Sequence, residues 1–275
     1  MISYEYASLC TLAVYFTSSV SGLTGMITRK TWLQKAGCAL CALALLLQTI
    51  GLLTGFHKNF TGGLSGGAYL QMVAWFVALI SLVLWGKFKQ KTAVLFAAPL
   101  CTLLFTLSIP YISKVQAIPE SLGSSFYVLH IGALFLSLAL MAVSCIASLL
   151  FLFIDSRIKS KKPVKGFLTD MPALNILDKI NGFCIVMTFP LYTVGIAAGL
   201  LRAKPVYGAT FTGDPKELVS LLVWAALAFV FHNRLARSWT GRKPALTMLC
   251  IFFTSLFSLL IINTVMDTHH AFLIN

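Results

Sequence analysis

Apolar residues in this chain come in runs too long and too unbroken for the amphipathic helices of a soluble protein. Eight runs can be read, over residues 4–27, 36–55, 68–86, 92–112, 126–153, 178–201, 216–236 and 244–266. Each is close to the ~20 residues that span hydrocarbon as a helix. Sustained period-two alternation is missing, and a bilayer admits only helices or closed barrels, so strands are not expected. The pattern predicts an all-α integral membrane protein, a bundle of eight transmembrane helices. The longest polar break, Ile154 to Leu177, holds only about two dozen residues, so residues 1–275 read as a single polytopic membrane domain without a soluble one. The first run carries Glu5, lacks a basic leader and is too long for a signal-peptide core, so it is expected to remain as a helix.

Composition agrees: 58% of residues are hydrophobic and 11% charged, against roughly a quarter charged in soluble domains. The net charge of +13 does not point to nucleic acid, because the basic residues are sorted by loop. Sixteen of the 21 fall after runs 1, 3, 5 and 7, from Arg29, Lys30 and Lys35 to Arg234, Arg237, Arg242 and Lys243. The alternate loops hold only Lys58, Lys114, Arg202, Lys204 and Lys216. The positive-inside rule then makes the first set cytoplasmic and places both termini outside, on the periplasmic side. The longest basic run, Arg157 to Lys165, reads as a solvated topogenic loop, with anionic-lipid contact as a second reading.

Candidate chemistry gathers in the second half. Asp214, Pro215 and Glu217 in GDPKELVSLLVW make a helix start: Asp caps, Pro suits the first helical position, and Glu217 is expected to reach back to the cap amide. With Lys216 and Trp224 this outer loop and helix cap stands at the mouth of an apolar run, beside Arg202 and Lys204. Of five histidines, His57, His130, His269 and His270 are external by this topology. His232 lies inside run 7, with Ala225 and Ala228 on its helical face, and is expected to be buried. A neutral imidazole is a good ligand for iron, copper or zinc, and two can hold a haem iron axially; a single one more often packs or sits at the interface. Cys38 and Cys41 form a CxxC, redox-active only if a thiolate is accessible and otherwise small packing groups. No P-loop, G-x-G-x-x-G after a strand, H-E-x-x-H or G-x-S-x-G occurs, so no catalytic residue is assigned.

FYVLHIGALFLSLAL around His130, LDKIN at Leu177 to Asn181, FPLYTVGIAAGLL at Phe189 to Leu201, GDPKELVSLLVW, the H-x-R of His232 to Arg234, and His270 together resemble cytochrome c assembly proteins of CcsA/CcmC type and their HemX-like relatives. The resemblance makes residues 126–275 the haem-handling core and 1–112 four additional transmembrane helices. It implies haem b held at the outer face by His130 and His270 as axial iron ligands, with His269 one residue off the expected spacing and His232 on an intramembrane haem path. Arg202, Lys204 and Lys216 are the cations suited to haem propionates. Family members carry tryptophans where Gly213 and Leu218 stand, whereas Arg202 to Pro215 holds none, a departure that points to the HemX-like branch. The implied function is haem binding and presentation in cytochrome c biogenesis, in the bacterial inner (plasma) membrane, with a membrane partner subunit or apocytochrome c as recipient; any lyase activity would need the partner. The rivals are a regulatory or scaffold protein of haem biosynthesis with a degenerate haem site, and a thiol–disulfide electron conduit through Cys38 and Cys41.

Overall fold

Long apolar runs fold as helices because hydrocarbon offers the backbone no partner but itself. The computed structural model describes residues 2–59, 64–88, 91–112, 115–116, 125–161 and 171–262. Each run forms one helix: α1 (Ile2–Ile27), α2 (Thr31–Asn59), α3 (Gly66–Phe88), α4 (Thr92–Ser108), α5 (Ser125–Lys159), α6 (Leu174–Tyr207), α7 (Pro215–Ala236) and α8 (Arg242–Phe257). All eight are long and apolar enough to cross a membrane. A 3₁₀ turn, Ile109–Tyr111, follows α4, and a π-type turn, Ser258–Ile262, continues α8.

Helix ends depart from the apolar runs where the backbone continues into polar sequence. At 35 residues α5 is about 52 Å long, well beyond the ~30 Å of a hydrocarbon core. His57 lies within α2 rather than in a loop, and Arg202 and Lys204 lie in the last turns of α6. Charged side chains end an apolar run without ending a helix, since they are solvated at headgroup level while the backbone stays bonded. What ends α6 is Gly208, in the left-handed region at φ 79°, whose N–H bonds to the Lys204 carbonyl 2.9 Å away. Two strands were not expected: β1 (Leu64–Ser65) pairs antiparallel with β2 (Val115–Gln116). Two residues are too few to leave a period in the sequence.

Helix α5 is the most enclosed of the eight and α7 the least. The α5–α6 interface is the most extensive in the bundle, followed by the α1–α2 and α3–α4 hairpins. The first four helices are tied by buried amides and hydroxyls. Tyr15 donates to Gln48 Oε1 (2.8 Å), Gln48 Nε2 to the Gln71 carbonyl (2.5 Å), and Gln71 Nε2 reaches Ser8 and Ser108 Oγ (3.3 and 3.2 Å). Each donor has an acceptor on another helix, so a burial that would otherwise be costly also fixes which helices meet.

Helices α5 and α8 run antiparallel in a readable register. Arg242 stands beside Asp155 (3.6 Å) and Ser255 donates to Met141 Sδ (3.6 Å). Thirteen residues along α8 therefore match fourteen along α5. Continued seven residues on, that register brings Ile262 level with about residue 134, roughly one turn from His130.

Candidate functional site

His130 sits in the second turn of α5, half-buried against α6. Its Nδ1 is 2.6 Å from the carbonyl oxygen of Gly195. A carbonyl only accepts, so Nδ1 carries the proton and donates, which leaves the Nε2 lone pair for another partner. Room for the ring comes from Gly199: a Cβ there would lie 2.6 Å from His130 Cε1 and 2.7 Å from Nδ1. One turn earlier in α6, a Cβ on Gly195 would lie 2.7 Å from Leu134 Cδ2. Two glycines four apart thus seat His130 and Leu134, also four apart, which is how small residues let membrane helices approach closely.

At the same end of the bundle the α6–α7 loop is closed by its carboxylates. Asp214 caps α7 through Oδ1, which accepts from the Lys216 amide at 2.8 Å, and Pro215 takes the first helical position. Glu217 Oε2 accepts from the amides of Thr212 (2.8 Å) and Gly213 (3.1 Å). The expected capping box is therefore shifted: the carboxylate ties down the two residues before the cap, not the cap amide itself. Gly213 at φ 75° supplies the left-handed residue that turns those amides inward. Asp214 and Lys216 are both buried, and Lys204 and Phe211 are exposed. Trp224 lies three turns into the bundle, where Nε1 donates to Thr193 Oγ1 (3.0 Å) and the ring packs on Phe189 at 6.0 Å between centroids. Phe189 in turn stacks on Phe231 at 4.8 Å.

At the opposite end Asp178 and Arg234 form a forked ion pair. Arg234 Nη1 reaches Asp178 Oδ1 at 3.1 Å, and Nη2 reaches Oδ2 at 2.9 Å. Nη1 also donates to the Trp239 carbonyl (2.7 Å), while Asp178 Oδ1 accepts from the Gly241 amide (2.7 Å). One acid and one guanidinium therefore join the start of α6, the end of α7 and the turn into α8. Gly182, a turn beyond Asp178, is the point where any Cβ would meet the guanidinium. Next to it Asn181 accepts a hydrogen bond from Ser144 of α5.

The sequence profile of the cytochrome C assembly protein family matches residues 64–270. The chain belongs to that family. The match begins at β1 and includes α3 and α4 as well as the four helices that follow. A cytochrome c biogenesis protein CcsA of Porphyra purpurea is 25% identical over 288 aligned residues, covering 89% of this chain and 88% of its own length. The CcsA proteins of Chlamydomonas reinhardtii and Guillardia theta are 28% and 29% identical, over 74% and 51% of this chain. In those two the alignment spans little more than half of the relative, 58% and 52% of its length. Membership places this multi-pass membrane protein in cytochrome c maturation.

Within that family frame, the structure brings some predicted site residues together and leaves others apart. His130 and the Asp214 to Glu217 cap share one end of the bundle. His269 and His270 lie outside the described residues, and of Arg202 only the backbone is described. His232 is exposed on the outward face of α7 with Ala225, not buried as expected, because Leu227, Val230 and Asn233 take the inward face of that helix. Among the described residues no group of three or more His, Cys, Asp and Glu is placed to hold a metal ion. The pair Asp178 and Arg234 was missed as a contact, although both motifs that contain it, LDKIN and H-x-R, stand out in the sequence.

Proposed function

We propose that this protein binds haem at the outer face of the bundle and presents it to a partner subunit or to apocytochrome c. Bound there, haem b would supply an iron with two axial positions suited to imidazole. The observation that carries the reading is the state of His130: Nδ1 is occupied by the Gly195 carbonyl, so the side chain offers one oriented nitrogen, Nε2. His270 is the second ligand of the proposal, supported by the α5–α8 register, which returns the chain to within about one turn of His130 eight residues before His270. Lys204, exposed in the last turn of α6, and Arg202 are assigned to the propionates, and His232 to the path by which haem reaches the site. In this reading the membrane is the bacterial plasma membrane and both termini face outward, an orientation that the loop charges support.

One observation favours a second reading. The segment from 202 to 215, the end of α6 and the turn into α7, contains no tryptophan, and Phe211 is the exposed aromatic among its described side chains, so a flat porphyrin meets little aromatic surface. A regulatory or scaffold protein of haem biosynthesis built on the same fold answers to that feature. A thiol–disulfide conduit has less support, since Cys38 and Cys41 are both fully buried.

The deciding experiment is to purify the protein in mild detergent from haem-replete cells and record its absorption spectrum. Stoichiometric haem with a low-spin spectrum is expected. His130→Ala and His270→Ala should each lower haem content or convert it to high spin, with added imidazole partly restoring the low-spin band. His232→Ala should reduce the amount of haem without changing its spectrum. A wild-type protein that binds no haem puts the regulatory reading first, and two histidine variants with wild-type spectra remove the ligand assignment.

A further inference from the structure

We propose that Gly195 and Gly199 of α6 are positioning residues which hold the His130 imidazole as its Nδ1-protonated tautomer and direct Nε2 outward as the ligand nitrogen. This rests on the haem-binding reading above, and it adds why that histidine is a ligand of fixed orientation.

A free neutral imidazole exchanges between two tautomers, and a histidine on an exposed helix turn samples several rotamers. Both freedoms are removed here by one element. The Gly195 carbonyl, at 2.6 Å, accepts only a protonated Nδ1, and a helical carbonyl has a second lone pair to offer beyond its own helix bond. Gly199 then sets the height of the ring above α6. A Cβ at that position would stand 2.6 to 2.7 Å from Cε1 and Nδ1, closer than such atoms come, and only 3.5 Å from Nε2. The ring therefore lies on the bare backbone, touching with its Cε1–Nδ1 edge. The bond to a backbone carbonyl is the usual device by which a ligating histidine is oriented and made more basic at its other nitrogen. Gly132, on α5 beside His130, makes no such approach: a Cβ there would meet nothing within 4 Å.

The test starts from full-length protein without haem, labelled with ¹⁵N-histidine, with the His130 resonances assigned by their loss in His130→Asn. A protonated Nδ1 and an unprotonated Nε2 are expected. A protonated Nε2 overturns the proposal whatever the protein binds. Gly199→Ala should push the ring aside, abolish the single-tautomer signature and, in haem-loaded protein, convert the low-spin spectrum towards high spin. Gly132→Ala should leave both unchanged. Should Gly199→Ala fail to accumulate, His130→Asn replaces it, because an asparagine amide reaches the Nδ1 position but has nothing at Nε2. It should match the wild type in thermal stability, exceed His130→Ala, and lose the low-spin band. Equal destabilisation by Asn and Ala overturns the role of the Gly195 bond. Absence of haem from the wild type, with the Nδ1 tautomer intact, sinks the haem reading and with it the proposed use of Nε2, and is thereby distinguished from failure of the positioning itself.

Discussion

At the scale of single residues, the loop carboxylates act on backbone amides. Asp214 satisfies one donor of α7, and Glu217 satisfies two donors in the turn that leads into it. Each would otherwise compete with solvent at the end of a membrane helix, where an uncapped amide costs about 1 kcal/mol. Glu217→Ala, which removes the acceptor of two hydrogen bonds, is expected to destabilise by roughly 1–2 kcal/mol and Asp214→Ala by about 1 kcal/mol. Asparagine caps as well as aspartate does, so Asp214→Asn keeps the cap, removes only the charge beside the buried Lys216, and should cost less than Asp214→Ala. Thermal unfolding in detergent reads all three. A loss for Asp214→Asn as large as for Asp214→Ala would mean that the charge at this position, and not only its cap, matters.

At the scale of helices, the pair of Asp178 and Arg234 couples three elements that the chain order leaves separate. It is mostly withdrawn from solvent, 15% exposed on each side chain, and all its geometry depends on the planar guanidinium fork. Removing either partner leaves the other charge buried, a loss of about 3 kcal/mol. Arg234→Lys should recover only part of it, because an ammonium cannot serve Asp178 and the Trp239 carbonyl with the same fork. A double-mutant cycle on Asp178→Ala and Arg234→Ala, read by thermal unfolding, should give a coupling of roughly 1–3 kcal/mol, and additive losses would count against the staple. This pair also marks the limit of what the sequence made legible. The eight helices were readable because each run reports on its own solvent, and the Asp214 cap because its bond spans two residues. Asp178 and Arg234 are 56 positions apart and His130 and Gly195 are 65 apart, so their meeting depends on inter-helix register, which hydropathy does not encode. The outward face of His232 was misjudged for a related reason. In lipid an apolar helix is apolar all round, so periodicity no longer separates inside from outside.

At the scale of the whole molecule, the two ends of the bundle differ in chemistry. The His130 end gathers the glycine seat, the capped loop and the returning α8, with Lys204 and Lys216 the cations among its described side chains. The other end holds the Asp178–Arg234 staple and, within a turn or two, Arg157, Lys159, Lys161, Arg237, Arg242 and Lys243. Asp155 engages Lys159 at 2.9 Å and Arg242 at 3.6 Å, which neutralises only part of that charge. Loop cations resist translocation, so the uneven distribution predicts one common orientation for all eight helices, with the His130 end outside. A reporter that is active only after export, fused after Asn275, should therefore be active, and one fused at Lys161 between α5 and α6 should not. Replacing the basic residues from Arg157 to Lys165 with glutamine should weaken this preference, while replacing Lys204 and Lys216 should leave it intact, because the proposed orientation puts the second pair on the translocated side. Activity only of a cytoplasmic reporter at the C-terminus would invert the bundle. His130 and the capped loop would then face the cytoplasm, where they could receive haem but not deliver it to the outer side.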